Sequence, residues 1–447
     1  MPVKVQDDYW NSEFQRVNHE VLQAKETKLV FFGDSITWHW SLGNAPGQDV
    51  WNENYARYKP INMGNSGDIT PVMLYRVTHG NLDFPAGRQP KVAVLLCGTN
   101  NFGVTQSDGG KEKWDLGANC PPVDIANGQR ALAQVFRRRL PETRLILMAI
   151  LPVADKVKWA KCQQVNAINA AVDYNRNEVA YVDLQDKFLL PDGAINRSLF
   201  SDGTHLTVEG YRVWAKGIEP LVQQFMDAPP LRPEKIMLIG DSITEGPDSS
   251  SSYRLYLDGM LRGSGRQFNL IGSRKRHNDD RTAPDSYQYD VDHEGHWGKD
   301  SAWMAENMPS LLTNNVPDIA VIQLGTEDVV SGKADAETLT DQIVRNINQV
   351  IEALRSKNGD VKIVLSKVMP VKGRGDVIDL LNVKISQYAK SHSTPRQPVV
   401  LADPNDGFDV DLDLGKDGVL PNAIGARKMA AAFAGAIKSL PGDGEHK

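Results

Sequence analysis

The sequence predicts an α/β protein made of two doubly wound, flavodoxin-like parallel-sheet domains in tandem. Apolar runs of strand length recur along the chain, closed by glycine or proline and alternating with stretches of helical spacing. The residues with chemical potential cluster just after those runs, where open α/β sheets place their sites. One pattern also occurs twice, as Leu29-Val30-Phe31-Phe32-Gly33-Asp34-Ser35-Ile36-Thr37 and as Ile236-Met237-Leu238-Ile239-Gly240-Asp241-Ser242-Ile243-Thr244. Such internal repetition divides the chain into two similar halves.

The bulk numbers agree. A chain of 447 residues is long for a single core and suits two domains. The net charge of −6, from 50 Lys+Arg against 56 Asp+Glu, gives no basic footprint for nucleic acid. The short basic runs Arg137-Arg138-Arg139 and Arg274-Lys275-Arg276-His277 read as solvated faces. No apolar stretch approaches the length of a membrane span. The polar start Met1–Asp8 lacks a signal-peptide core, which leaves open a cytoplasmic protein or a secreted or periplasmic one whose leader has been removed. Cys97, Cys120 and Cys162 are too few and too scattered for a disulfide framework or a metal site, and Cys97 reads as a buried, inert thiol.

In the first half a helix is expected from about Tyr9 to Ala24, then a strand through Phe32. Gly33-Asp34-Ser35 turns that strand into a helix start and presents a hydroxyl to backbone N–H groups and the helix dipole. Trp38 and Trp40 follow closely enough to line a pocket as a platform for a sugar ring, or to pack in the core. Ile61 to Asp68 is a short strand with a glycine turn at Gly67, where a backbone N–H can meet a ligand. Val92 to Cys97 is a strand ending at Gly98-Thr99-Asn100. Helices are expected over Val123–Leu140 and Val165–Asn175, with strands over Arg144–Leu151 and Val179–Val182. Asp202 and His205, three apart, can share one turn in which the carboxylate holds one imidazole nitrogen and leaves the other free. A helix follows from Thr207.

Asp227-Ala228-Pro229-Pro230-Leu231-Arg232-Pro233 is a proline-rich joint and predicts the boundary, giving halves 1–228 and 229–447. Beyond it come a helix at Tyr253–Leu257, a strand at Phe268–Ser273 and the block His293-Glu294-Gly295-His296-Trp297-Gly298. A helix is expected near Trp303, strands at Ile319–Leu324 and Lys362–Leu365, and a last helix after Asp417-Gly418-Val419-Leu420-Pro421-Asn422.

Ser35 in Gly-Asp-Ser, Gly67, Asn100 in Gly-Thr-Asn and His205 in Asp-Gly-Thr-His stand in the order of the four blocks of the SGNH (GDSL) hydrolase superfamily. The first half resembles it over Lys28–Phe225. The texture Asn-x-Gly-x-x-Gly-Asp and Gly-Thr-Asn-Asn is most similar to the catalytic subunits of platelet-activating-factor acetylhydrolases. The resemblance implies that Ser35 attacks an ester carbonyl, His205 is its base and Asp202 orients the base. It also implies that the Ser35 and Gly67 N–H groups and the Asn100 amide receive the oxyanion, with no cofactor or metal.

The second half, Glu234–Leu440, resembles carbohydrate esterase family 3, which includes acetylxylan esterases, through Gly-Asp-Ser-Ile-Thr-Glu-Gly and His-Glu-Gly-His. It departs where chemistry is decided. Glu327 stands for the oxyanion amide and Leu420 for the base, so Ser242, Gly295, Glu327, Asp417 and Leu420 form a degenerate second site. His293 or His296 acting as a substitute base, or as a metal pair, is the weaker reading. The expectation is therefore one serine esterase half and one non-catalytic half. The substrate is an acylated small molecule or polysaccharide, with O-acetylated carbohydrate first and a lipid or short-acyl ester as the rival. A carbohydrate-binding or scaffold protein with both sites silent is the rival from another class. Glu327 could still accept hydrogen bonds from sugar hydroxyls, unless the second half serves only to stabilise the first.

Overall fold

The computed structural model describes residues 1–85, 87–103, 107–108, 111–112, 120–175, 177–247, 252–275 and 289–440. Arg276 and His277, from the second basic run, lie outside them. By its contacts the chain forms two compact units, Met1–Arg232 and Pro233–Lys447. The division falls inside the proline-rich joint, four residues past the boundary expected from sequence. Arg144 donates to the Pro229 carbonyl at 2.7 Å and holds the start of that joint on the first unit.

The strands of the first unit are β1 (Leu29–Gly33), β2 (Ile61–Gly64), β3 (Val92–Leu96), the two-residue pair β4 (Ser107–Asp108) and β5 (Lys111–Glu112), β6 (Arg144–Met148) and β7 (Val179–Val182). Its helices are α1 (Asp8–Gln23), α2 (Ser35–Trp38), α3 (Gln48–Tyr55), α4 (Thr70–Thr78), α5 (Pro122–Arg139), α6 (Lys156–Ala170) and α7 (Val208–Asp227). The five-stranded sheet runs β2-β1-β3-β6-β7, every pair parallel. All five residues of β1 are buried, as continuous apolar runs in a covered parallel sheet should be. Helix α7 shows how the covering works. Thr207 caps it by accepting from Gly210 N. Tyr211, Trp214, Ala215, Ile218, Val222 and Phe225 then recur at helical spacing and bury themselves.

The second unit repeats the plan with β8 (Glu234–Gly240), β9 (Phe268–Ile271), β10 (Glu294–Gly295), β11 (Ile319–Gln323), β12 (Lys362–Ser366) and β13 (Val399–Ala402). Its helices are α8 (Ser242–Glu245), α9 (Tyr253–Gly263), α10 (Ser301–Leu311), α11 (Thr326–Ser331), α12 (Ala336–Lys357), α13 (Gly375–His392) and α14 (Ala423–Ser439). β8 pairs with β11 along one edge. Along the other it pairs first with β9 and then with β10. Two short strands in succession thus fill the position that β2 fills alone.

Two differences from the sequence reading have local causes. The helix expected at 165–175 starts earlier, at Lys156, because Asp155 caps it by accepting from Lys158 N at 2.9 Å. Helices α12 and α13, which the sequence reading leaves unassigned, bury Ile343, Ile347, Val350, Ile351 and Leu354, and Ile378, Leu381 and Ile385. Among the described residues no helix is long and apolar enough to cross a membrane. The basic run on α5 is paired. Arg137 meets Glu178, and Arg139 meets Asp83 at 3.0 Å.

Candidate active site

Strand β1 leads into the turn that carries Ser35. A Cβ on Gly33 would lie 2.1 Å from Thr37 Oγ1 and 2.7 Å from the Leu96 carbonyl, so only glycine lets the chain turn there. Asp34 caps α2 by accepting from Ile36 N at 3.0 Å, and Ser35 is its first residue. Asp34 is fully buried, and among the described residues its Oδ2 has no partner. Burial pushes its carboxyl up to about 6.

His205 comes from the loop before α7. Its Nε2 stands 2.9 Å from Ser35 Oγ and its Nδ1 2.6 Å from Asp202 Oδ2. The other Asp202 oxygen accepts from Thr204 N at 2.9 Å and from His205 N at 2.8 Å. One carboxylate therefore shapes the turn and aims the ring. Burial pushes the Asp202 carboxyl up, but its hydrogen bonds, led by that from the His205 ring, more than reverse this and hold it at about 2. It stays ionised wherever an imidazole titrates. Tyr211, on the first turns of α7, donates to the Ile36 carbonyl at 2.7 Å and ties the segment after His205 to the helix that Ser35 begins.

Two further donors come from neighbouring strands. In register Gly33 faces Gly64 on β2 and Leu96 on β3. Gly67 is three residues past the first and Asn100 four past the second, so both lie at the same sheet edge as Ser35. Gly67 has φ of +81°, which favours glycine. Asn100 is buried and donates from Nδ2 to the Asp68 carbonyl at 3.1 Å. The sheet edge therefore gathers Ser35, Asp202, His205, Gly67 and Asn100. The constellation is suited to nucleophilic attack on a carbonyl with proton transfer through an imidazole.

The two tryptophans part company. Trp40 is fully buried, with ring centroids 4.3 Å from Trp214, 5.0 Å from Phe31 and 5.5 Å from Tyr55. It is core, and the pocket-lining alternative is corrected. Trp38 is partly buried and donates from Nε1 to Glu13 at 3.0 Å. Beside it stands His39, which motif reasoning passes over. Its ring lies edge-on to His205, with centroids 5.1 Å apart. Cys97 is buried, and burial raises its thiol.

The second unit repeats this frame in detail. Asp241 caps α8 by accepting from Ile243 N at 3.0 Å, and burial pushes its carboxyl up to about 7. Ser242 begins α8 and is buried, and among the described residues no side chain bonds its Oγ. Asp417 Oδ1 accepts from Val419 N and Leu420 N, both at 3.0 Å, which is the turn Asp202 makes. The Gly203 and Gly418 carbonyls accept from Ala154 N and Lys372 N alike. Leu420 thus stands at the place of His205. Glu327 lies four residues past Gln323, which pairs with Gly240, so it matches Asn100.

Register corrects one assignment. Gly295 pairs with Gly240 as Gly64 pairs with Gly33. Gly295 N donates to His293 Nδ1 at 3.0 Å, as Gly64 N donates to Asn62 Oδ1 at 2.9 Å. The counterpart of Gly67 is therefore Gly298, three residues on, with φ of +66°. His296 and Glu294 face each other at 2.6 Å, and Glu294 also accepts from Ser273 Oγ at 2.6 Å. Among the described residues no cluster of His, Cys, Asp and Glu is arranged to hold a metal ion.

The family match is doubled as well. The GDSL-like lipase/acylhydrolase family matches residues 31–213 and again 238–428. The chain is similar to platelet-activating factor acetylhydrolase IB subunit alpha2 of Bos taurus and Homo sapiens, at 28% identity over 228 residues. That match spans 50% of this chain and 88% of theirs. Among solved structures it is similar to an acetyl esterase mutant with acetate ion and to a carbohydrate esterase family 3 protein from Talaromyces cellulolyticus. Each is 30% identical with a TM-score of 0.41, over 46% of this chain and 97% of the other. With both of its halves matched, the chain belongs to the GDSL-like lipase/acylhydrolase family and carries that family's segment twice.

Proposed function

We propose that the protein is a serine esterase that removes short acyl groups, acetyl first, and that all of its chemistry lies in the first half. The observation that carries this is the unbroken chain Ser35 Oγ–His205 Nε2 at 2.9 Å and His205 Nδ1–Asp202 Oδ2 at 2.6 Å. Ser35 Oγ attacks the ester carbonyl carbon while its proton passes to His205 Nε2, and Asp202 stabilises the imidazolium. The oxyanion accepts hydrogen bonds from the Ser35 and Gly67 N–H groups and the second Asn100 amide N–H. Such a donor is typically worth ~10²–10³ in rate. The C–O bond to the alcohol then breaks and His205 protonates the leaving oxygen. Water, deprotonated by the same ring, releases the acid from Ser35. Nothing in this cycle calls for a metal or cofactor.

O-acetylated carbohydrate is the substrate we favour, on the strength of the second half's Gly-Asp-Ser-Ile-Thr-Glu-Gly and His-Glu-Gly-His. The acetylhydrolase relatives at 28% identity favour the second reading, an acetylated lipid. The second half is the non-catalytic partner, and Glu327 and the loops around Gly298 are its candidates for holding sugar hydroxyls. The test compares the whole protein on p-nitrophenyl acetate, acetylated xylan and an acetyl ether lipid. Turnover of all three that disappears in Ser35→Ala supports the esterase, and the ratio among substrates decides the alcohol. Glu327→Gln should weaken turnover on the polysaccharide alone. No turnover on any of them would leave a binding or scaffold protein.

A further inference from the structure

Behind the Gly67 turn lies a buried ion pair that the reaction does not use. Arg76 on α4 and Asp68 are both essentially inaccessible, and Arg76 Nη1 donates to Asp68 Oδ2 at 2.5 Å. The rest of the guanidinium is committed as well. Nε donates to Asn81 Oδ1 at 2.9 Å, Nη2 donates to the Met63 carbonyl at 2.6 Å, and the plane sits 4.5 Å from the centre of the Phe32 ring. The second Asp68 oxygen accepts from Trp10 Nε1 on α1 at 2.8 Å. Asp68 is thus clamped from two sides, at the residue that follows Gly67.

Its backbone faces the chemistry. The Asp68 carbonyl is the acceptor for Asn100 Nδ2 at 3.1 Å. A carboxamide nitrogen carries two hydrogens in one plane, so fixing one of them fixes the direction of the other. One clamped residue therefore sets both the backbone at Gly67 and the orientation of the Asn100 amide. We propose that Asp68 and Arg76 are positioning residues that hold the oxyanion donors of the Ser35 site in place, an inference that rests on the esterase reading above.

The second unit supplies an internal control. By the same register Lys299 stands for Asp68 and Asn307 for Arg76. Lys299 is exposed, with its ammonium 5.5 Å from the centre of the Trp303 ring, and Asn307 Nδ2 donates to the Trp303 carbonyl of its own helix. The fold forms there without the ion pair, so the fold alone does not demand it. It is absent from the unit in which Glu327 has replaced the amide donor. A buried pair of charges is a costly way to stabilise a core that apolar groups could fill. Holding two donors in fixed geometry gives it a reason to persist.

The test measures kcat and KM on p-nitrophenyl acetate for the whole protein and for Arg76→Lys, Asp68→Asn and Trp10→Phe, with melting temperature alongside. Trp10→Phe removes one donor to Asp68 while keeping an aromatic ring and both charges, so it keeps the inference testable if the charge variants fold poorly. Positioning predicts kcat down ~10–10² in Arg76→Lys and Asp68→Asn and a smaller loss in Trp10→Phe, with KM within about twofold. The acid limb of the pH profile should stay where it is. A wild-type kcat in folded Trp10→Phe and Arg76→Lys, or a rise in KM with kcat kept, overturns the inference. If turnover survives Ser35→Ala, the esterase reading fails and takes this inference with it. If turnover needs Ser35 but not the clamp, only this inference falls.

Discussion

The two units repeat one backbone device at equivalent places and differ in the side chains mounted on it. Each has a strand ending in Gly-Asp-Ser, a carboxylate capping a four-residue helix, and a left-handed glycine after the neighbouring strand. Each also has an Asp-Gly turn whose carboxylate collects two successive N–H groups. Even supporting contacts are shared. Asn101 accepts from Thr70 N at 3.1 Å, and Asp328 accepts from Ser301 N at 2.9 Å. The differences sit at the atoms a reaction would use. His205 becomes Leu420, Asn100 becomes Glu327, and Tyr211, which braces the helix that Ser35 begins, becomes Ala426. The frame is thus a folding solution common to both units, and what sets the two sites apart is the side chains mounted on it.

Removing the base from the first unit should copy the second and produce the largest effect. His205→Ala is expected to cost ~10⁴–10⁶ in kcat with the fold intact, read by steady-state hydrolysis of p-nitrophenyl acetate. A variant that kept its activity would break the comparison. Next in size is Asn100→Glu, which imports the second unit's residue and puts negative charge where an oxyanion must form. A loss of ~10²–10³ in kcat is expected, and Asn100→Ala should be no worse than Asn100→Glu.

The capping carboxylates should behave alike in both units, whatever the chemistry. Burial pushes Asp34 up to about 6 and Asp241 up to about 7. A folded-state value above the unfolded one gives stability that is whole below about pH 4 and is lost as pH rises through the folded value. Asp34→Asn and Asp241→Asn keep the cap and remove the ionisation. Each should flatten its unit's loss of stability between pH 4 and 8 by roughly 3–4 kcal/mol, at ~1.4 kcal/mol per pKa unit. Thermal melts across that range check it, and a variant whose profile stays as steep as the parent's contradicts it. The smallest effect is a gain. In a Ser35→Ala background, Leu420→His with Glu327→Asn should lift hydrolysis above background, because the Asp417 turn and Gly298 are already in place. Leu420→His alone should not.

Much of this was legible in the sequence for a physical reason. Ser35, Gly67, Asn100, Asp202 and His205 each sit directly after a strand or in a tight turn, where the residue type and the backbone conformation are chosen together. Trp40 was not legible. Proximity to Ser35 along the chain does not say which side of a four-residue helix a ring takes, and this ring turned into the aromatic core. Gly295 and Gly298 are glycines of one block, three residues apart. Only the strand register, a property of the sheet, separates them. The Asp68–Arg76 clamp was hidden for a related reason. Its partners come from a turn, from α4 and from α1, and no local pattern joins Trp10 to Asp68.

One measurement tests the claim that only the first unit is a working site. The whole protein is treated with an excess of a reactive phosphonate ester, which modifies a serine only when a base and an oxyanion hole act on it together. Intact mass and peptide mapping then give the number and place of adducts. The account predicts one phosphonyl group per chain, on the peptide containing Ser35, and none in Ser35→Ala. A second adduct on the peptide containing Ser242, or a single adduct there, would contradict it.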